Sequence, residues 1–279
     1  EVWSPEPDFF KIPGPGAFKK WMGYLDQYIV FPAQVTKRMK RLTDDTLFIF
    51  TDQALGPWVP LAAHRHHVIH CHDFLAQRSA LGEIPQNKVQ WTGKKYQQYI
   101  RDGYRKGKNF ISGSYKTRED LHRFLTTKPV RSEVIHNGLN QKFSPTDVAR
   151  ARALMSDKTK IDLSTGYLLH VGGNQWYKNR VGVLELYDAW RNNTEMKQPL
   201  LMIGAPPNDE LLNTKNISSF KDDIHFFTGI DDEYVRLAYN GASLFLFPSL
   251  AEGFGWPIAE AMASGCPTLT TKEAPMSEV

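Results

Sequence analysis

The chain has 279 residues, of which 41% are hydrophobic and 23% charged, with a formal net charge of +4. That size holds two ordinary domains or one large α/β domain, and the balance is enough to bury a core, which excludes disorder as its main character. The longest apolar runs are as short as Leu244–Phe247, which excludes a transmembrane helix, and the widely separated Cys71 and Cys266 exclude a disulfide framework. A reducing, cytoplasmic compartment is therefore the default expectation.

Charge is unevenly spread. Residues 1–140 hold 21 Lys and Arg against 13 Asp and Glu, whereas residues 141–279 hold 13 against 17. The net charge is too small to indicate nucleic acid. The basic front half suits an anionic membrane surface, with the protein peripheral at its inner face, or an acidic substrate; solvated basic helices explain it equally well.

In chain order, the first 35 residues read as a proline-rich loop with a helical piece around Phe18–Val30. Thr46–Thr51 and Val68–Cys71 read as strands, Asn87–Lys108 as a long polar helix, and Asn109–Ser112 as a strand. A helix is expected over Thr117–Thr127 with Thr117 as its N-cap, then a strand over Val134–His136 ended by the turn pair Asn137-Gly138. Residues 139–166 read as a junction carrying one polar helix, Asp147–Ser156. The alternation then restarts: a strand at Tyr167–Val171, the turn Gly172-Gly173, and a helix with Val181, Leu184, Tyr187 and Trp190 at helical spacing. Strands follow at Leu200–Gly204, Ile224–Thr228, Ser243–Phe247 and Pro267–Thr270, with helices at Asp231–Asn240 and Pro257–Ser264. This is an α/β pattern of two parallel sheets, with domains at 1–140 and 141–279 and a cleft between them. Ligands of open α/β sheets bind beyond the carboxyl ends of the strands, so the loops after Val171 and Phe247 are the informative ones.

The segment Phe247–Gly265 runs F-P-S-L-A-E-G-F-G-W-P-I-A-E-A-M-A-S-G. A strand ends in a loop whose glycines let the backbone approach a ligand, and Pro257 stands at a helix start whose N–H groups favour an anion. Glu252 and Glu260 flank that start. A carboxylate repels a phosphate, so the two acids are better suited to accept hydrogen bonds from hydroxyls; an anion with hydroxyls on both sides describes a nucleotide sugar. Taken singly, Glu260 could equally complement the helix dipole and Glu252 be solvated.

The spacing of Glu252 and Glu260, with seven residues between them, resembles the E-x(7)-E signature of family 4 retaining glycosyltransferases. The surrounding F-P-S-L-A-E-G-F-G, the later A-S-G-C-P-T-L-T-T and A-P-M-S-E-V, and H-N-G-L-N-Q-K-F-S-P at 136–145 are similar to that family as well. The resemblance implies the GT-B fold, two Rossmann-like domains facing a cleft. It implies that Glu252, with the amides of Gly253, Phe254 and Gly255, contacts the donor hexose and that Glu260 binds ribose.

In the family the loop after the first strand of the back domain carries an Arg and a Lys for the diphosphate. Here, in Leu169–Arg180, Lys178 matches the Lys; Asn174 stands at the Arg position beside Gly172 and Gly173, and Arg180 is the substitute cation. Lys178 at a helix start is badly placed against the dipole, which itself argues for a bound anion.

The run His64–Asp73 contains five histidines, a cysteine and an aspartate. Strand alternation separates Cys71 from His70 and His72, and no H-E-x-x-H or Cys-x-x-Cys is present, so no metal site is expected. His72-Asp73 resembles the family's strand-end H-D; His72 is assigned to positioning substrate, and Asp73 and Ser112 to the acceptor side. The plain alternative for His72 is a strand-end histidine satisfied by a backbone carbonyl. Ser114 with Lys116 and Arg118 could serve a phosphate or simply begin a helix.

No Asp-x-Asp occurs, so the expected activity is metal-independent and without cofactor: transfer of a hexose from a GDP- or UDP-sugar to a hydroxyl on a carbohydrate or lipid-linked acceptor, in polysaccharide or glycolipid assembly. Mannose is carried over from general resemblance only. The family's opening strand and glycine-rich loop are not found and the back domain stops early, so the chain reads as cut at both ends, with weak activity or none expected. Two other readings share the architecture: a non-catalytic nucleotide-sugar binder and a nucleotide-sugar epimerase.

Overall fold

The computed structural model describes residues 1–279 and divides into two compact units, residues 1–113 with 117–135, and residues 114–116 with 136–279. Each holds one parallel sheet.

The first unit carries strands β1 (Phe48–Phe50), β2 (His67–Cys71), β3 (Asn109–Ser112) and β4 (Arg131–Val134), side by side in chain order. Neighbours are in parallel register, Ile69 opposite Phe110 and Ser112 opposite Val134. The helices are α1 (Gly16–Leu25), α2 (Phe31–Met39), α3 (Val59–Ala62), α4 (Leu75–Ala80), α5 (Trp91–Tyr104) and α6 (Tyr115–Phe124), whose first two residues group with the second unit. Ile69 and Cys71 of β2 pack with Phe110, Tyr104, Leu121 and Phe124 in one apolar cluster.

Three expectations for this unit are corrected. The opening is more helical than its prolines suggest: a π-helical turn, Asp26–Val30, joins α1 to α2. It stands just ahead of Pro32, which has no N–H to continue an α-helical ladder. Asp26 is buried there and accepts from the backbone N–H of Phe9 and of Phe10, each at 2.9 Å. Thr117 is no N-cap: it lies inside α6, buried, with its hydroxyl donating to the carbonyl of His72 at 3.2 Å. The fourth strand ends at Val134, not His136, and its polar residues suit an outer position in the sheet.

The second unit carries α7 (Val148–Thr159), β5 (Leu168–Gly172), α8 (Arg180–Asn192), β6 (Leu200–Gly204), α9 (Asp209–Ile217), β7 (Ile224–Phe227), α10 (Asp232–Gly241), β8 (Leu244–Phe247), α11 (Trp256–Ala263) and β9 (Thr268–Thr270). Its sheet runs β7-β6-β5-β8-β9. The central strands β5, β6 and β8 are short, mainly apolar runs buried on both faces, as a sheet covered by helices requires: Leu169, Leu201, Phe245 and Phe247 are fully buried among Tyr167, Tyr239 and Ile258. From β5 the chain first builds outward through β6 and β7, then returns to place β8 on the other side of β5. The carboxyl ends of β5 and β8 therefore lie at the topological switch point of the sheet. No helix of the protein is long and apolar enough to cross a membrane.

Candidate functional site

The loops after β5 and β8 are clasped together. Asn179 Nδ2 donates to the carbonyl of Pro248 at 3.0 Å, and the backbone N–H of Leu250 donates to the carbonyl of Tyr177 at 2.8 Å. The third link is ionic: Lys178 Nζ lies 2.9 Å from Glu252 Oε1, with the two side chains only 14% and 10% exposed. Asn179 makes this geometry possible. It adopts φ +49°, a left-handed conformation that asparagine tolerates better than most residues, and its Oδ1 accepts from Gly182 N to cap α8. The ammonium of Lys178 also stands 5.0 Å from the ring centroid of Phe247 and 5.5 Å from that of Tyr177, a setting that supports a cation.

Gly172 ends β5 at this point. A Cβ there would sit 2.9 Å from His170 Nε2, so no larger residue fits without displacement. His170 itself is fully buried; its Nδ1 is 2.9 Å from the carbonyl of Leu246. A carbonyl can only accept, so Nδ1 carries the proton and Nε2 offers a lone pair, which has no partner. Burial drives the His170 pKa down to about 4, with the charges of Arg180 and Lys178 pushing the same way. The imidazole is neutral at physiological pH.

Arg180 is the first residue of α8 and is buried. Its Nη1 donates to Asn174 Oδ1 and, at 2.9 Å, to the carbonyl of Ala205, while Asn174 Nδ2 donates to the carbonyl of Pro206 at 2.7 Å. Asn174 and Arg180 thus form one unit that ties the glycine turn to the loop after β6. The Nε and Nη2 atoms of Arg180 remain buried without partners, and burial lowers the guanidinium pKa.

On the other loop, Gly255 caps α11 at φ +110°, a conformation suited to glycine. Pro257 is the second residue of α11 and Trp256 the first, one position earlier than the sequence suggests. Phe254 is buried, with its ring 6.2 Å from that of Trp256. Gly253 lies in the same loop. Glu260 is in the second turn of α11, half-buried, and accepts from Tyr239 Oη of α10 at 3.0 Å. Burial raises its carboxyl pKa, while the Tyr239 hydrogen bond opposes the rise.

In the first unit, His72 and Asp73 follow β2. His72 Nε2 is 2.9 Å from the carbonyl of Thr51, its backbone N–H donates to Gln53 Oε1 at 2.9 Å, and its ring lies 4.2 Å from that of His70. The contact with Thr51 puts the proton on Nε2 and leaves Nδ1 an acceptor. Asp73 accepts from Leu75 N at 2.9 Å, and burial raises its pKa. Ser112 is fully buried at the end of β3, its hydroxyl without a partner. The histidine run is dispersed: His67 is buried with Nδ1 2.8 Å from the carbonyl of Arg65 and Nε2 accepting from Lys108 N at 2.9 Å, a purely structural pair of bonds. No three of its potential ligands come together around one point.

Residues 152–279 match the family model described as glycosyl transferases group 1. This stretch belongs to that family. The chain is similar to the O-antigen chain mannosyltransferase B of Escherichia coli, 32% identical over 116 residues, which is 41% of this chain and 30% of that protein. It is also similar to the E. coli lipopolysaccharide glucosyltransferase WaaG, 26% identical over 156 residues, 54% of this chain and 40% of that one. The matches span less than half the length of these curated relatives. Among solved structures, Anabaena Alr3699/HepE in complex with UDP and glucose superposes with a TM-score of 0.69 at 16% identity, covering 100% of this chain and 68% of that one. WaaG gives a TM-score of 0.64 at 18% identity over 96% and 68%. The fold is that of the GT-B glycosyltransferases.

Within the group 1 stretch, sequence reading misses His170, Asn179 and Tyr239. A histidine inside the otherwise apolar strand Leu168–Val171 is a usable signal, because a buried polar group needs a reason. Tyr239 reads as ordinary helix core, and nothing local links it to Glu260.

Proposed function

We propose that this protein is a retaining, metal-independent hexosyltransferase that uses a GDP- or UDP-sugar as donor and a saccharide hydroxyl as acceptor. The observation that carries the reading is the nearly buried pair of Lys178 and Glu252, 2.9 Å apart, joining the two loops at the switch point of the sheet. Cleavage of the bond between the anomeric carbon and the diphosphate leaves negative charge on the departing oxygen. Lys178 meets that charge, helped by the amides of Gly172, Gly173, Gly253, Phe254 and Gly255. A positioned donor of this kind lowers the barrier by about 3 kcal/mol.

Glu252 accepts from the hexose hydroxyls and Glu260 from the ribose hydroxyls. Arg180, braced by Asn174, adds positive potential beneath the diphosphate. In the first unit, Nδ1 of His72 is the acceptor available to a substrate hydroxyl; Asp73 follows it in the chain and Ser112 lies buried at the end of the neighbouring strand, both assigned to the acceptor side. The likeness to the O-antigen chain mannosyltransferase B of E. coli supports mannose as the hexose, and the likeness to the glucosyltransferase WaaG keeps glucose as the alternative.

The test is release of nucleoside diphosphate from GDP-mannose and UDP-glucose, with the anomeric configuration of the product read by NMR. An α-linked product supports the reading. Donor binding without turnover for any acceptor leaves a binding protein instead, and a donor converted to its epimer would identify an epimerase.

A further inference from the structure

We propose that Glu252 is the residue by which the site discriminates a nucleotide sugar from the bare nucleoside diphosphate. The inference rests on the assignment of Lys178 to the diphosphate. The pair is asymmetric. Lys178 has the rings of Phe247 and Tyr177 as further support for its charge, whereas the carboxylate of Glu252 has Lys178 as its one hydrogen-bonding partner. When Lys178 turns to a phosphate, Glu252 is left a nearly buried carboxylate with no partner, and an unpaired buried charge is strongly unfavourable.

A hexose on the same diphosphate offers hydroxyls that donate to Glu252 and relieve that cost. A bare diphosphate offers none. The ion pair of the ligand-free site is therefore a competitor that only the complete donor displaces without penalty, so the site favours substrate over product. No bond is made or broken in this step; one ionic partner of Lys178 is exchanged for another, and Glu252 exchanges an ammonium for hydroxyl donors.

Titration calorimetry with GDP, GDP-mannose, UDP and UDP-glucose, on the wild type, Glu252→Gln and Lys178→Met, tests this. Wild type binds the nucleotide sugar of the correct pair more tightly than its bare diphosphate. In Glu252→Gln the bare diphosphate binds about tenfold tighter, equivalent to 1.4 kcal/mol, while the nucleotide sugar gains nothing, so the ratio collapses. Glu252→Asp, which keeps the charge, keeps the weak binding of the bare diphosphate. If Lys178→Met loses diphosphate binding but Glu252→Gln leaves the ratio of sugar to bare diphosphate unchanged, the inference is overturned and the assignment of Lys178 stands. If Lys178→Met binds every probe as wild type does, or wild type binds none of the four, the underlying assignment fails.

Discussion

The side chain of Asn179 donates to the carbonyl of Pro248 across 3.0 Å, and the same side chain caps α8 through Gly182. One residue thus fixes both the start of a helix and the spacing of the two loops that flank the proposed diphosphate site. Replacing it by alanine removes the cap and the clasp and puts a less tolerant residue at positive φ. Asn179→Ala is expected to lower stability by about 1–2 kcal/mol in urea unfolding. Asn179→Asp retains the cap acceptor and loses only the donor, so it should keep most of the stability while weakening nucleotide binding. Nucleotide affinity unchanged in Asn179→Asp would show that the clasp contributes nothing to binding.

Glu260 accepts from Tyr239, and burial holds its pKa above the usual carboxylate range. Under the proposed assignment, a ribose hydroxyl bound there would donate to the remaining lone pairs. Glu260→Gln is expected to raise the dissociation constant for the nucleotide about tenfold, and Tyr239→Phe to raise it less, because each hydrogen bond to a charged acceptor is worth about 1.5–3 kcal/mol and Tyr239 acts only through Glu260. Calorimetry decides, and unchanged nucleotide affinity in Glu260→Gln removes the ribose assignment.

His170 makes stability depend on acid. Its folded pKa is about 4, against 6.5 for the unperturbed side chain. The unfolded chain therefore takes up this proton first as pH falls. The contribution is complete above about pH 6.5 and is lost progressively toward pH 4, amounting to about 3 kcal/mol in all. Glu260, with its raised pKa, works in the opposite direction. Comparing wild type with His170→Gln from pH 7.5 to 4.5 isolates the histidine: the variant should show a shallower loss of stability. Parallel curves would mean that His170 is not held neutral by the fold.

Much of the second unit is legible in the sequence because its strands are apolar runs too short for helices and bounded by turn residues. Leu200–Gly204 and Ile224–Phe227 follow from that pattern, and the loops after β5 and β8 stand out by their glycines. Other features have no local signature. The partner of Lys178 is 74 positions away, and only the placing of β8 beside β5 brings Glu252 to it. Arg180 reads as the cation substituting for the family's Arg, but nothing local shows that it is buried and bonded to Asn174 and the Ala205 carbonyl. The helix α9 escapes notice because its apolar residues are few and only Leu211 is buried. In the first unit, proline content argues for loop where a π-helical turn lets the helix continue.

Gly172 is needed for space rather than for its dihedral angles. Its missing Cβ would meet Nε2 of the fully buried His170 at 2.9 Å. Gly172→Ala should cost about 1–3 kcal/mol by crowding, and the double variant with His170→Ala should recover part of that loss. Strict additivity of the two substitutions in urea unfolding would rule out the contact.

A crystal structure of this chain with GDP or UDP bound tests the central claim most directly. The account predicts the diphosphate at the clasped loops, about 3 Å from Lys178 Nζ, with that ammonium turned away from Glu252. A nucleotide bound elsewhere, with Lys178 still paired to Glu252 at 2.9 Å, would contradict it.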